Sequence, residues 1–284
     1  MVAQIWAVQS STFGGLGLFA MQDIPPDTVI LEEPPMLKIC DDDVHASHRS
    51  QYVCTAVNML PSTIRAKFRQ LHGADPTRSQ AYQDGRILHL NAFGTAINGD
   101  VWSVVYETIS RANHSCRPNA GLTHNRLVSS RYIAAGSEIL INYLLDETLL
   151  YTPRQKELWE CWNFRCACEA CTDHITNNEK RLLMKRLQQH VVLGNRGTRS
   201  AAPILDEHIE KIETYIRLVR EEGRVGTDIF LANLALFKIY LLKDTLDKAY
   251  EVLKSTQRLG EVWQMNWFAG EFAKYLSERI KSIG

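Results

Sequence analysis

Three cysteines, Cys166, Cys168 and Cys171, fall within six residues of the stretch "FRCACEAC" in the pattern C-x-C-x-x-C. Thiolates suit zinc, and a closed structural zinc site is tetrahedral with four ligands. Three ligands are local, so the fourth must come from elsewhere. Cys116, in "RANHSCRPNA", lies fifty residues upstream and offers it. Zinc held by Cys116, Cys166, Cys168 and Cys171 would tie a C-terminal flap onto a folded core. Cys161 competes for a ligand place, and a group of reduced structural thiols is the simpler alternative. Buried cysteine is common singly, but three within six residues is more than packing asks for. The chain has seven cysteines, an odd number unevenly spread. That pattern favours metal or reduced thiols over a disulfide frame.

Other stretches carry polar or conformational chemistry. In "GGLGLFA" (14–20), Gly14, Gly15 and Gly17 would let backbone approach a bound molecule without an intervening side chain. A plain hairpin turn is the alternative. In "NHSC", the Asn113 amide and the His114 imidazole can each donate and accept hydrogen bonds. A satisfied buried Asn-His pair is the other reading. Tyr143 ends "EILINY" and reads either as a reactive-site phenol or as an ordinary strand tyrosine.

The elements that must position these residues follow from periodicity and punctuation. Residues 1–40 read as strands and turns, with a β-rich run "TVILEEPPMLKI" interrupted by prolines. Residues 45–72 are helical by spacing, through Val53, Val57, Leu60, Ile64, Phe68 and Leu71. Pro61 falls inside that pattern, so two helices should meet there. Short strands are expected over 120–143, with a turn at "AAGSE" (134–138). From about 178 to 281 there is one proline, Pro203, and apolar residues recur at helical period. Ile204, Leu205, His208, Ile209, Ile212, Ile216, Leu218 and Val219 form one stripe. Four or five helices are expected there, with "VLGNRGTRSAAP" (192–203) as a loop. Tyr240, Ala249 and Leu253 have tetratricopeptide-like spacing, which a plain helical bundle explains as well.

Composition narrows the class. Thirty-two lysines and arginines balance thirty-two aspartates and glutamates, so no net field argues for nucleic acid or an anionic membrane. No apolar run approaches the ~20 residues of a membrane helix. The start "MVAQIWAVQSSTFGG" has neither the basic opening nor the apolar core of a signal peptide.

Taken in order, "GGLGLFA", "NHSC" followed by proline and asparagine, "GSEILINY" (136–143) and "FRCACEAC" (164–171) resemble the SET-domain protein methyltransferases. The likeness is strongest to the SET-and-MYND group and its fungal relatives. The resemblance implies an α+β fold: small β-sheets with a pseudoknot, a helical insert, a zinc-bound post-SET flap and a C-terminal α-helical, tetratricopeptide-like domain. The expected divisions are an N-terminal SET half (1–44), the insert (45–86), a C-terminal SET half (87–150), the post-SET zinc region (151–177) and the helical domain (178–284). It also implies S-adenosylmethionine as cofactor and a protein lysine as acceptor. Carried over residue by residue, Tyr143 is the catalytic tyrosine. Asn113 and His114 face the adenine and ribose, Asn91 the amino-acid end, and Phe164 stacks on adenine. Gly14, Gly15 and Leu16 contribute backbone, and Trp162 lines the acceptor channel.

Three departures stand against the family pattern. Between Met36 and Ile87 only Cys40, Cys54, His45, His48 and His72 are available as ligands, which fits no MYND zinc module. The family usually places lysine or arginine where Gly14 falls, a charge able to pair with the cofactor carboxylate. Tyrosine is usual where Trp162 stands. The leading function is a protein-lysine N-methyltransferase of the cytoplasm or nucleus. The alternatives are a SET-fold enzyme of small molecules and a catalytically weak module whose helical domain binds a partner protein.

Overall fold

The computed structural model describes residues 4–41, 48–97, 99–196, 202–265 and 267–281. Residues 45–47, expected to open the insert, and 197–201 of the expected loop lie outside these, as does His45.

Two strands, β1 (Trp6–Ser10) and β2 (Leu16–Ala20), form a hairpin. Its turn uses Gly14 (φ 96°) and Gly15 (φ 70°), left-handed conformations that L side chains resist. Then come β3 (Val29–Glu32) and β4 (Leu37–Cys40). The insert follows as α1 (Arg49–Met59), α2 (Ser62–Arg69) and α3 (Gln80–Asn91). Pro61 separates α1 from α2 as expected, and Leu60 before it is extended (φ −66°, ψ 150°). Helix α3 runs on past the expected division at residue 86, to Asn91.

Next come β5 (Phe93–Ile97) and β6 (Asp100–Val105), a 3-10 turn (Ile109–Arg111), and β7 (Asn113–His114). They lead to β8 (Ala120–Thr123), β9 (Arg126–Ser129) and β10 (Glu138–Ile141). Three small sheets result, in the orders β1-β2-β10-β7, β3-β9-β8 and β4-β6-β5. Leu18, Ile24, Ile109, Leu127, Ile133 and Ile139 are almost fully buried between them.

One crossing matters for the site. β7 lies parallel to β10, with Asn113 opposite Leu140 and His114 opposite Ile141. The loop after β7 is stapled to the same strand. Asn119 N donates to Leu140 O (3.0 Å), its Oδ1 accepts from Leu140 N (2.8 Å), and its Nδ2 donates to Glu138 O (2.8 Å). Arg131 holds the outside of this loop through the Pro118 and Arg117 carbonyls, both at 3.0 Å.

Beyond the sheets, α4 (Tyr151–Trp162) ends at Asn163, whose left-handed φ of 58° turns the chain into the cysteine segment. The short α5 (Glu169–Thr172) leads into α6 (His174–Asn195). Then come α7 (Ala202–Glu221), α8 (Thr227–Leu242), α9 (Leu246–Val262) and α10 (Trp267–Lys281). α8 is apolar around most of its circumference and sits centrally, touching α6, α7, α9 and α10. Pro203 occupies the first turn of α7, where a missing N–H costs no intrahelical bond.

Part of the expected loop at 192–203 is helix instead. α6 continues through Asn195, and Gly194 is buried against α8, where an added Cβ would sit 2.9 Å from the Ala235 Cβ. That glycine serves close helix packing, not a turn.

The helical domain is pressed onto the crossing loop. Arg181 of α6 donates to Cys116 O at 2.7 Å. Buried Glu222 takes a hydrogen bond from Asn177 (2.7 Å) and lies within ion-pair reach of Arg181, Lys180 and Arg117. Trp263 donates its indole N–H to Asp27 (3.0 Å), and its carbonyl accepts from the Thr123 hydroxyl (2.5 Å).

Candidate active site and cysteine centre

The four sulfurs of Cys116, Cys166, Cys168 and Cys171 lie within 4.8 Å of one another, all buried. Those of Cys116 and Cys171 are 3.5 Å apart. A tetrahedron with Zn–S of about 2.3 Å has edges of about 3.8 Å, so this cluster has the right dimensions. Cys161 is half-buried and lies outside it.

The charges around the cluster agree with a metal. The Arg154 guanidinium is fully buried with no carboxylate in ion-pair reach among the described residues. Its partners are the Leu149 carbonyl (2.8 Å), the Ala170 carbonyl (3.3 Å) and the Cys171 sulfur (3.9 Å). A buried cation needs an anion nearby. Zinc with four thiolates carries a net charge of −2 and supplies one. Gln155 adds rigidity: its amide donates to Cys166 O (2.7 Å) and its carbonyl accepts from Cys166 N (3.0 Å). Nothing in the sequence distinguishes Arg154, Gln155 or Arg181 from other helical polar residues. Their roles come from what surrounds them.

Against the cluster lies a cavity of about 580 Å³. It collects Gly14, Gly15 and Leu16 from the first turn, Asn91 from α3, Asn113 and His114 from β7, Tyr143 after β10, and Trp162 and Phe164 from the flap. The expected site residues outside the metal set, Gly17 excepted, therefore meet in one place.

Their individual bonds define what each can offer. Asn113 Nδ2 donates to Glu138 Oε1 (2.7 Å) and to Leu16 O (3.2 Å). Glu138 also accepts from the Ser11 hydroxyl (3.0 Å), which binds the glycine turn to β10. Gly17 does not line the cavity. A Cβ there would lie 2.1 Å from Glu138 Oε1, so this glycine makes room for the Asn113–Glu138 pair. Asn91 Nδ2 is committed to the carbonyls of His72 and Ile87, both at 2.7 Å, leaving Oδ1 as its free acceptor.

His114 lines the cavity, and both its ring nitrogens are engaged within the protein. Nδ1 accepts from Tyr143 N (3.0 Å), which puts the ring proton on Nε2, 3.3 Å from the Cys116 sulfur. Burial pushes its pKa down to about 4, so the ring is neutral near pH 7. What it presents to the cavity is a ring face, 5.8 Å from Phe164 and 5.2 Å from Tyr143 between centroids. It also links the cysteine centre to the main chain of Tyr143.

The Tyr143 hydroxyl donates to Ala112 O at 2.8 Å. Burial raises its pKa, so it is a neutral phenol. Its ring centroid lies 5.4 Å from that of Trp162. The aromatic wall thus runs Trp162, Tyr143, His114, Phe164.

The sequence matches the SET domain family over residues 15–144. It is similar to "Histone-lysine N-methyltransferase set5" of Schizosaccharomyces pombe, 27% identical over 56% of this chain and 47% of that protein. The Meyerozyma guilliermondii SET5 protein is 30% identical over 31% of this chain and 20% of its own length. The Mus musculus "Histone-lysine N-methyltransferase SMYD3" is 32% identical over 35% of this chain and 25% of its own. The chain thus aligns with less than half the length of these relatives. A solved SET domain of LSMT bound to lysine and AdoHcy overlaps with a TM-score of 0.33 at 16% identity, covering 92% of this chain and 89% of that one, too slight a likeness to bear weight. Residues 15–144 match the SET domain family, the crossing of β7 on β10 falls within that stretch, and the chain is similar to fungal SET5 and SMYD3 proteins.

Proposed function

We propose that the protein is an S-adenosylmethionine-dependent protein-lysine N-methyltransferase of the cytoplasm or nucleus. The observation that carries this reading is the cavity itself, which gathers the glycine turn, Asn91, Asn113, Tyr143 and the flap aromatics against one wall. The names of the SET5 and SMYD3 relatives support a protein lysine as acceptor. No described helix is long and apolar enough to cross a membrane.

S-adenosylmethionine would supply an electrophilic methyl group on a sulfonium. The chain's own residues bind, orient and exclude water, the usual sources of catalytic gain in such a displacement. The backbone at Gly14 and Gly15 approaches unobstructed, since nothing lies within 4 Å of where their Cβ atoms would be. The Phe164 ring suits the face of adenine. Tyr143 has its proton committed to Ala112, so its oxygen lone pairs accept: from the incoming amine or from the polarised methyl C–H. As a neutral phenol it orients and does not deprotonate. No aspartate or glutamate is among the described residues lining the cavity. The described lining thus offers the amine no carboxylate base, and its proton must leave by another acceptor. Zinc on Cys116, Cys166, Cys168 and Cys171 would close the flap carrying Trp162 and Phe164.

The test is radiolabelled methyl transfer into a native extract, with protein separated from small metabolites. Label on protein lysines is expected. Label confined to small metabolites would overturn the protein-substrate reading. Failure to bind S-adenosylmethionine or its demethylated product in a calorimetric titration would overturn the enzyme reading altogether.

A further inference from the structure

The cavity is unusually one-sided in charge. Three guanidiniums, Arg86, Arg111 and Arg165, line it, and no carboxylate does so among the described residues. Arg165 lies toward the flap, its guanidinium 5.6 Å from the Trp159 ring centroid. The other two lie elsewhere on the wall. Arg86 precedes Asn91 by five residues on α3 and shares a helix face with Leu90, which also lines the cavity. Its stem runs past Gly73, where an added Cβ would lie 3.5 Å from Arg86 Cγ. Arg111 ends the 3-10 turn next to Ser110, whose hydroxyl donates to Asn91 O at 2.8 Å. Asn91 thus joins the two segments that carry Arg86 and Arg111.

Both guanidiniums have donors to spare. Arg86 makes no hydrogen bond or ion pair among the described residues; the exposed Asp75 feels its charge without closing a pair. Arg111 spends only Nε, on Glu107 O at 3.2 Å. Gly14, which lines the same cavity, has no side chain and so supplies no charge.

We propose that Arg86 and Arg111 form a carboxylate-binding subsite at the Asn91 end of the cavity, which holds the amino-acid carboxylate of the cofactor. The proposal rests on the cavity being the cofactor site. Its chemistry follows from the donor set: planar guanidiniums match a carboxylate fork, and such charge-assisted bonds are the strong ones. Asn91 Oδ1 completes the end by accepting from the adjacent ammonium. With the anion seated there, the positive lining no longer opposes binding of a sulfonium cation.

The test compares two ligands that differ only in the carboxylate: S-adenosylmethionine and decarboxylated S-adenosylmethionine. Each is titrated calorimetrically into the full chain. The wild type should bind the carboxylate form about tenfold to a hundredfold more tightly. In the Arg86→Gln/Arg111→Gln double variant this ratio should fall toward one, with affinity for the decarboxylated compound held or improved. Arg86→Lys, which keeps a positive charge at this exposed position, should keep part of the preference. A double variant that keeps the wild-type ratio overturns the subsite while leaving the cofactor reading intact. A wild type that binds neither compound overturns that reading, and the subsite with it. A wild type that binds both equally overturns the subsite alone.

Discussion

The turn between α7 and α8 gives the sharpest test of how the helical domain serves the site. Gly223 has φ 72° there, and a Cβ on it would fall 1.8 Å from Pro118 O and 2.8 Å from Pro118 C. Gly136 has φ 78°, yet a Cβ there would meet nothing within 4 Å. Alanine at either position carries the left-handed penalty of roughly 1–2 kcal/mol. Only at 223 must the backbone also withdraw, by about 1.5 Å to reach an ordinary C···O contact of about 3.3 Å. Overpacking of this kind costs about 1–3 kcal/mol more. Gly223→Ala should therefore lose about 2–5 kcal/mol and Gly136→Ala about 1–2, read from urea midpoints at constant m. The withdrawal also pulls on the bond from Arg117 Nε to Glu221 O (2.8 Å) and on the Glu222 cluster that faces the Cys116 loop. Gly223→Ala should accordingly weaken zinc retention and cofactor binding, while Gly136→Ala spares both. Equal loss of stability in the two variants, with equal zinc content, would refute the idea that the helical domain is pressed against the crossing loop.

Three further outcomes are expected. Tyr143→Phe keeps the ring between Trp162 and His114 but loses the hydroxyl bonded to Ala112 O; methyl transfer should fall about a hundredfold or more with cofactor affinity little changed, and wild-type turnover would show that this oxygen carries no chemistry. Purified protein should hold one zinc per chain by elemental mass spectrometry, and Cys168→Ser should lower both that ratio and thermal stability; full zinc content in the variant would remove Cys168 from the ligand set. His190 and His208 face each other at 2.8 Å between Nδ1 atoms, with Glu207 and Lys211 beside them, and burial first and His208 second lower the His190 pKa. Because the folded form resists the proton that the unfolded form accepts, this contribution is complete above about pH 6.5 and declines as pH falls below it; His190→Gln should flatten stability across that window, and an unchanged profile would mean that His190 contributes nothing to it.

What could be read from the sequence was chemistry tied to residue identity. A thiol is a metal ligand wherever it lies, so Cys116 could be joined to a cluster fifty residues away. Pro61 breaks a helix by its own covalent structure, and the 3.6-residue stripe from Ile204 to Val219 announces a packed helix. What escaped was decided by neighbours. Gly194 follows Leu193 in a Gly-Asn-Arg-Gly stretch with the composition of a loop, but Ala235 pressing from α8 makes it a helix contact. His114 has ring atoms able to meet adenine, and only the fold shows them spent on Tyr143 N and Cys116 Sγ. Glu138, which ties Asn113 and Ser11 together, looks in sequence like any strand glutamate. Arg154 looks like a surface arginine on a helix and is fully buried.

The bracing of the Cys116 loop by Arg181 and Glu222 has a consequence for the order in which the molecule is made. Cys171, the last thiol of the cluster, leaves the ribosome about fifty residues before Glu222. At about 5–20 residues per second that gap lasts roughly 3–10 s. For most of it the four thiols and Arg181 are all synthesised, but Glu222 has yet to draw Arg117 and Arg181 together beside the Cys116 loop. The nascent chain thus passes through an interval in which its cysteines are free to oxidise, or to take the wrong metal, before the surrounding structure can select among them.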